Sequence, residues 1–339
     1  MFSRTLIVGV GALGGVIAAR LRAAGAPVSL ATRTAETAAW LRATGLRLTG
    51  VGGAVSVDVS EISTVDALRD REPFDLVVLA TKAREAIDVA PALAALLGPG
   101  GTLLPIQNGP VAQLVADRLR DGRVLGGLSN LGATMTSPGV YEQRSAGHLL
   151  VGELKGGVSE RAERIRAWLD RAVEVRTTPN ITGAVWSKLL INCAVTTVGA
   201  IAGRTMREYV AMADGRAVFE RAYDEALSVA RASGARLERM LVEPIPPARP
   251  GAAYEAWLGE VLKGYGGAKP SMLQDFERHR ETEIDFINGY VVDLGRRLGV
   301  ATPVNAAIVD AVREITRGGL APDPQVLGRV LRQAPPAAR

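Results

Sequence analysis

The stretch LIVGVGALGG places four glycines within seven positions, between an apolar run and the helix-like segment VIAARLRAAG. Three of them, Gly9, Gly11 and Gly14, form the pattern G-x-G-x-x-G at a turn from a first strand into a first helix. In a dinucleotide-binding turn, the first glycine permits the tight turn, the second lets a pyrophosphate approach the backbone, and the third lets helix and strand pack closely. The N-terminus of the helix then faces the anion. A plain tight turn is the alternative, but the position between strand and helix favours a dinucleotide site.

The end of the second strand indicates which dinucleotide is bound. An NAD site places an acidic residue there, about 20 residues after the glycines, to hold the ribose 2′-hydroxyl. Here the strand ends in Thr32 and Arg33, and no carboxylate follows until Glu36. Because an arginine suits a 2′-phosphate, the sequence predicts NADP(H) rather than NAD(H), with a solvated arginine as the alternative. The predicted cofactor-binding turn also includes Ala12 and Leu13, which lie between the glycines.

Strands and helices alternate through the first part of the chain. The segments TLIVGV, APVSLATR, FDLVVLATK and GTLLPIQNG are typical of buried strands, and helix-like segments separate most of them. This alternation predicts a Rossmann domain with a doubly wound, mainly parallel sheet. The following stretch GGLSNLGATMTSPGVYEQRSAGHLLVGEL predicts antiparallel strands at the sheet edge, and SERAERIRAWLDRA predicts a helix that begins at a serine.

From Asn180 onward the patterns are helical. ITGAVWSKLLINCAVTTVGAIAG predicts a long apolar helix, and DFERHRETEIDFINGYVVDLGRRLG predicts a helix with apolar residues three and four positions apart. The expected fold class is therefore an α/β N-terminal Rossmann domain followed by an all-α C-terminal domain. The predicted divisions are residues 1–179, residues 180–330 and a disordered tail at residues 331–339.

Composition and charge exclude several classes of function. The formal charge of +5 is scattered without a basic run, so we expect no nucleic-acid partner. Cys193 is the sole cysteine, which excludes an internal disulfide and a metal site of clustered cysteines, and we expect no metal. No signal-peptide pattern is evident, and the longest apolar run is too short to span a bilayer. We expect a cytoplasmic protein without a membrane partner, whose oligomeric state stays open, a homodimer included.

A dinucleotide site implies a carbonyl or alcohol substrate and an acid that neutralises the developing alkoxide. Histidine is the common choice, but the chain has only His148 and His279, for which we expect surface or structural roles. Lysine is the better candidate. Because nearly all the other positive charges are arginines, the few lysines present favour sites that need a compact, titratable ammonium.

Three polar residues lie four apart on the long apolar helix: Lys188, Asn192 and Thr196. This spacing puts them on one helix face, which is either a site or a lysine that snorkels to solvent beside an asparagine that satisfies backbone groups. Glu283 borders the apolar face of the helix predicted for DFERHRETEIDFINGYVVDLGRRLG, where it is either a salt-bridge partner or a site residue. Ser271, in KPSMLQD, is predicted to cap a helix.

Together these segments resemble the ketopantoate reductase (2-dehydropantoate 2-reductase) family from Leu6 to about Pro303. Six motifs carry the resemblance, in the family's order. They are GVGALG, ATK ending at Lys82, QNG at residues 107–109, WSKLLINC, KPSMLQD and TEIDFINGY.

The resemblance implies NADPH-dependent reduction of a 2-oxo acid, ketopantoate to pantoate, in a cleft between a Rossmann domain and a helical domain. It implies that Lys188 is the general acid and that Glu283 assists this lysine or positions the substrate. It further implies that Asn108 lies beside the nicotinamide and the substrate. Asn192 and Ser271 match substrate-binding positions of the family, and Lys82 and Arg33 match positions on the cofactor side.

The sequence departs from the family at Thr196, where well-studied members have a second asparagine that helps to hold pantoate. Threonine is shorter and offers a hydroxyl in place of an amide. The resemblance therefore specifies the type of reaction more closely than it specifies the substrate. Two alternatives therefore stay open. One is a related D-2-hydroxy acid dehydrogenase or 2-oxo acid reductase with another substrate, and the other is a non-catalytic NADP-binding module.

Overall fold

The computed structural model describes residues 2–334. The chain divides into two compact units, Met1–Thr182 and Gly183–Arg339, which are described separately. The division lies inside the first turn of a helix, whereas the predicted boundary after residue 179 lies in the turn just before it.

The first unit contains a five-stranded, wholly parallel sheet, whose strands lie in the order β5 (Ile62–Thr64), β2 (Val28–Thr32), β1 (Thr5–Val8), β6 (Phe74–Leu79) and β7 (Leu97–Pro105). The predicted Rossmann-like domain is thereby confirmed. Strand β1 lies at the centre and is completely buried, because its apolar residues are covered on both sides. The elements up to the last strand of this sheet and its following helix are β1 (Thr5–Val8), α1 (Ala12–Ala23), β2 (Val28–Thr32), α2 (Ala35–Thr44), β3 (Leu46–Gly50), β4 (Val55–Val57), β5 (Ile62–Thr64), β6 (Phe74–Leu79), α3 (Ala83–Ala95), β7 (Leu97–Pro105) and α4 (Val111–Leu119).

The remaining strands of the first unit include two antiparallel pairs, as predicted, and a last strand that lies parallel to its neighbour. They are β8 (Gly126–Ser129), β9 (Gly132–Ser137), β10 (Val140–Ser145), β11 (Leu149–Gly152) and β12 (Val175–Thr177), with helix α5 (Glu160–Leu169) before the last. The sheet β12-β11-β8 lies alongside β7 through a bridge between Leu103 and Val124. The predicted edge position is wrong for β9 and β10, which instead belong to a separate sheet in the order β4-β3-β10-β9, where β10 pairs with β3. Ser159 caps α5, as its sequence position predicts.

The described residues of the second unit form helices and connecting loops without a strand, which confirms the predicted all-α class. Its elements are α6 (Ile181–Ile191), a π-helical segment (Asn192–Thr196), α7 (Thr197–Ala202), α8 (Met206–Val210), α9 (Ala213–Ala232), α10 (Ala252–Tyr265), α11 (Ser271–Glu277), a 3-10 turn (Ile284–Phe286), α12 (Asn288–Leu298), α13 (Pro303–Thr316) and α14 (Gln325–Gln333).

Helix α6, the π segment and α7 form one continuous helix, Ile181–Ala202, which we call the core helix. Among the described residues it is the one helix long and apolar enough to cross a membrane, and 83% of its most apolar window is buried inside the protein. Its apolar character is therefore explained by packing against the surrounding helices of the second unit.

Two sequence predictions about the second unit are wrong. The single helix predicted for DFERHRETEIDFINGYVVDLGRRLG is interrupted, because residues 278–283 are all polar and give a helix no apolar face to bury. His279, in this interruption, has a φ of +49°. The prediction of a disordered tail is wrong for residues 331–334, because α14 continues to Gln333 and Leu331 packs against the core. Residues 335–339 of that predicted tail lie outside the described residues.

The fourth glycine of the opening stretch, Gly15, has a packing role that the sequence analysis did not assign. A Cβ atom on Gly15 would lie 2.2 Å from Cε1 and Cζ of Tyr141, which reaches α1 from β10. Tyr141 is fully buried, and its hydroxyl donates a hydrogen bond of 2.9 Å to the carbonyl oxygen of Val10. The tyrosine thus ties the second sheet to the glycine turn, and only a glycine at position 15 leaves room for its ring.

We predict that Gly15→Ala destabilises the first unit by about 1–3 kcal/mol, the usual cost of overpacking a filled core. The ring of Tyr141 cannot move aside without losing its hydrogen bond to Val10. Urea denaturation of Gly15→Ala and Gly11→Ala measures this difference. Gly11 is the matched control, because a Cβ atom there has nothing within 4 Å. Equal denaturation midpoints for the two variants would refute the packing role of Gly15.

Candidate active site

The glycine turn between β1 and α1 is shaped by close backbone contacts. Gly9 has a φ of +90°, and a Cβ atom on it would lie 2.7 Å from the backbone nitrogen of Thr81. A Cβ atom on Gly14 would lie 2.1 Å from the carbonyl oxygen of Gly9. These two positions therefore require glycine for the turn itself, as the G-x-G-x-x-G pattern predicts.

Gly11 differs from the other two glycines of the motif. It precedes the first turn of α1, its φ is −81°, and open space surrounds the position of a Cβ atom. The first turn of α1 carries no acidic residue, and Ala12 and Leu13 are partly exposed there. A helix N-terminus with free backbone N–H groups, no acidic side chain and an open approach fits the pyrophosphate of a dinucleotide.

The other predicted cofactor residues of the first unit lie at the same edge of the parallel sheet. Arg33 follows β2, and Lys82 follows β6 as the residue before α3, so they flank the turn that follows β1. Both are exposed. The guanidinium of Arg33 forms an ion pair of 3.2 Å with Glu85 on α3. Carboxyl ends of adjacent parallel strands are where ligands bind in open α/β sheets.

Asn108 follows β7 at this same edge and is half-buried. Its neighbour Gln107 is buried and donates hydrogen bonds to the carbonyl oxygens of Leu79, at 2.9 Å, and Thr81, at 3.1 Å. Gln107 thereby ties the loop after β7 to the end of β6 and fixes the position of Asn108. The QNG motif alone does not predict this bridging role of its glutamine, because both acceptors are distant in the chain.

In the second unit, Lys188 lies on the core helix among apolar neighbours. The residue keeps part of its surface accessible, while protein atoms crowd around its ammonium. This burial lowers the pKa of Lys188 to about 8, and the negative charge of Glu283 opposes the shift. Ser187 anchors this turn, since its hydroxyl donates to the carbonyl oxygen of Gly183 and accepts from the backbone N–H of Glu238.

Glu283 reaches Lys188 from a different local structure than predicted. It directly precedes the 3-10 turn Ile284–Phe286 and is not on a helix face bordering the core. The predicted pairing of a lysine with this glutamate nevertheless has a physical basis, because the charge of Glu283 acts on the lysine.

Asn192 and Thr196 are the first and last residues of the π segment, one turn beyond Lys188. The hydroxyl of Thr196 donates a hydrogen bond of 3.5 Å to Oδ1 of Asn192. The two side chains therefore meet on one face of the helix. Cys193, which directly follows Asn192 in the chain, is buried, and burial raises the pKa of its thiol, so it is not a reactive nucleophile.

Ser271 is exposed and is the first residue of α11. Its predicted role as a helix cap is wrong, because Pro270 occupies the cap position and no side chain caps this helix. The preceding proline packs against the core helix: a Cβ atom on Gly199 would lie 2.8 Å from Cγ of Pro270. The KPSM segment thus lies against the core helix just beyond Thr196.

Comparisons with known proteins identify the family. The family model described as ketopantoate reductase PanE/ApbA matches residues 5–156, and that of the ketopantoate reductase PanE/ApbA C terminal matches residues 180–316. The chain belongs to the ketopantoate reductase family. It is accordingly an oxidoreductase of the class that acts on CH–OH groups, and members of this family use a pyridine nucleotide to reduce a 2-oxo acid.

Curated members of the family are similar to this chain over most of their length. A 2-dehydropantoate 2-reductase of Halobacterium salinarum is 29% identical over 93% of this chain and 100% of that protein. The uncharacterized oxidoreductase YkpB of Bacillus subtilis is 30% identical over 88% of this chain and 94% of that protein.

Solved structures share the fold of this chain over most of its length. A PanE/ApbA family ketopantoate reductase from Ralstonia eutropha JMP134 has a TM-score of 0.78 at 28% identity, with 93% of this chain and 99% of that chain covered. D-mandelate dehydrogenase with NADH and anilino(oxo)acetate has a TM-score of 0.80 at 22% identity, with 93% and 98% covered, which shows a shared fold.

Proposed function

We propose that this protein is an NADPH-dependent reductase of a 2-oxo acid and that its substrate is 2-dehydropantoate. The observation that carries the proposal is the enclosed ammonium of Lys188, whose pKa of about 8 suits proton donation near neutral pH. The negative charge of Glu283 acts on this ammonium, and two side chains that can form hydrogen bonds, Asn192 and Thr196, lie on the same helix. The chain also belongs to a reductase family.

Residues of the first unit would hold the cofactor. The turn Gly9–Gly14 suits the pyrophosphate, Arg33 and Lys82 suit the 2′-phosphate side, and Asn108 suits the nicotinamide side. When bound, NADPH supplies the hydride for the carbonyl carbon.

Residues of the second unit would bind the substrate and supply the proton. Protonated Lys188 donates a hydrogen bond to the carbonyl oxygen of the 2-oxo acid and then gives up its proton to the alkoxide, which yields the hydroxyl group. Glu283 favours the protonated lysine. Asn192, Thr196 and Ser271 offer amide and hydroxyl groups to the rest of the substrate.

Thr196 favours a second candidate, a 2-oxo acid reductase with a substrate other than 2-dehydropantoate. Its short side chain donates to Asn192 and offers no amide of its own. Both candidates agree with the expected cytoplasmic location of a small-molecule enzyme. They differ in the substrate that the face around Thr196 accepts.

Oxidation of NADPH with a panel of 2-oxo acids tests the proposal. We expect the highest kcat/KM with 2-dehydropantoate among branched and aromatic 2-oxo acids. A higher value with another member of the panel would establish the second candidate. Binding of NADPH without oxidation across the whole panel would reject both in favour of a non-catalytic NADP-binding module.

Replacement of Lys188 by alanine should lower kcat about 10²- to 10⁴-fold, the usual contribution of a general acid. The dissociation constant of NADPH should stay within about twofold, because Lys188 is not among the proposed cofactor residues. In the wild-type enzyme, kcat for reduction should fall as the pH rises through about 8, since deprotonated Lys188 has no proton to donate. Lys263→Ala is the control, because that lysine of the same unit is exposed. Unchanged turnover in Lys188→Ala would exclude the lysine as the acid.

Replacement of Arg33 by alanine should weaken NADPH binding about tenfold or more and leave NADH binding nearly unchanged, because a charge-assisted contact to the 2′-phosphate is lost. Fluorescence titration of the two reduced nucleotides measures both constants. Arg69→Ala is the matched control, since Arg69 is also exposed and ion-paired, with Asp66. A retained preference for NADPH would place the phosphate contact elsewhere.

A further inference from the structure

The π segment Asn192–Thr196 interrupts the regular hydrogen bonding of the core helix. The backbone N–H of Thr197 bonds to the carbonyl oxygen of Asn192, five residues earlier, instead of four. A wide turn of this kind leaves carbonyl groups that the helix itself does not satisfy, and such turns occur frequently at functional sites. In this protein, the hydroxyl of Thr197 and side chains from other helices bind those carbonyl groups.

Two buried side chains from other helices donate to the π segment, in addition to the buried hydroxyl of Thr197, which donates to the carbonyl oxygens of Asn192 and Cys193. Nδ2 of Asn288, at the start of α12, donates a hydrogen bond of 3.1 Å to the carbonyl oxygen of Cys193. The hydroxyl of Tyr209, on α8, donates one of 2.9 Å to the carbonyl oxygen of Ala194. Both residues are fully buried. Without these donors, buried carbonyl groups would lose a hydrogen bond that water cannot replace.

Asn288 is itself held by a buried polar network. Its Nδ2 also donates to Oδ1 of Asn305, at 2.9 Å, and Nδ2 of Asn305 donates to Glu225, at 2.8 Å. Glu225 accepts two further hydrogen bonds from the backbone N–H groups of Val304 and Asn305. The network connects α9, α12 and α13 to the π segment, and a connected buried network of this kind fixes one arrangement of the helices.

We propose that Asn288 and Tyr209 are positioning residues: they maintain the π turn and thereby set the direction of Asn192 and Thr196 relative to Lys188. The role in substrate binding rests on the proposed function. A regular α-helical turn would rotate Thr196 about the helix axis relative to Asn192 and Lys188 and so change the geometry of the contact between the side chains of Thr196 and Asn192. The family motif TEIDFINGY thus contains both Glu283, which acts on the ammonium, and Asn288, which holds the turn beside it.

A matched pair of tyrosine variants tests the proposal. Tyr209→Phe removes the hydroxyl that binds the π segment. Tyr223→Phe removes an equally buried hydroxyl of the same unit, which donates a hydrogen bond of 2.8 Å to the carbonyl oxygen of Pro244. Asn288→Leu, which keeps the branched heavy-atom arrangement of the native side chain, removes the other donor from outside the core helix. Amide hydrogen exchange of peptides that cover residues 188–200 reports the state of the turn without any substrate.

We expect faster exchange in these peptides for Tyr209→Phe and Asn288→Leu but not for Tyr223→Phe. We also expect the KM for the 2-oxo acid to rise about tenfold, the loss expected for one hydrogen bond to substrate, with a smaller change in kcat. The dissociation constant of NADPH should stay within about twofold of the wild-type value in all three variants. If Asn288→Leu does not fold, the two tyrosine variants alone decide.

Unchanged exchange in Tyr209→Phe would overturn the holding role. Faster exchange without a change in KM would overturn the positioning role and leave the proposed function intact. If the wild-type protein reduces no 2-oxo acid, the proposed function fails on its own evidence, and hydrogen exchange still decides whether these residues hold the turn.

Discussion

The burial of one ammonium group in an apolar helix is the constraint on which the second unit depends. Lys188 is the only charged residue between positions 181 and 202. A buried cation without a compensating charge is costly, and here the compensation comes from Glu283. That carboxylate is carried by the polar interruption between α11 and α12. The break in the helical pattern is therefore part of how the second unit tolerates its lysine.

The first unit depends on close packing around the glycine turn between β1 and α1, where neighbouring atoms leave no room for a side chain on Gly9, Gly14 or Gly15. Thr81, from the end of a neighbouring strand, fills the space beside Gly9, and the ring of Tyr141 fills the space beside Gly15. The carbonyl of Gly9 itself fills the space beside Gly14. The glycine motif is thus a packing junction of several elements, and Gly11 is the member whose missing side chain the protein's own packing does not explain.

The sequence predicts much of this fold because its signals are local. Alternation of apolar strands and helices predicts the parallel sheet, and the glycine pattern predicts the turn after β1. The π turn could not be predicted, because its donors, Asn288 and Tyr209, are distant in the chain and i+4 spacing suits a regular helix equally well. The pairing of β10 with β3 was missed for the same reason, since nothing local specifies a partner strand. The polar run at 278–283 indicates a break, whereas the apolar spacing after it favours one continuous helix.

The ion pair between Arg33 and Glu85 has a consequence for how a phosphorylated nucleotide would be received. An exposed pair of this kind contributes only about 0–1 kcal/mol, so a doubly charged phosphate can displace the carboxylate at small cost. The carboxylate meanwhile keeps the long guanidinium side chain at the rim of the sheet, where otherwise it would sample many rotamers. Part of the conformational entropy that an arginine loses when it binds a phosphate is thus lost before the nucleotide arrives.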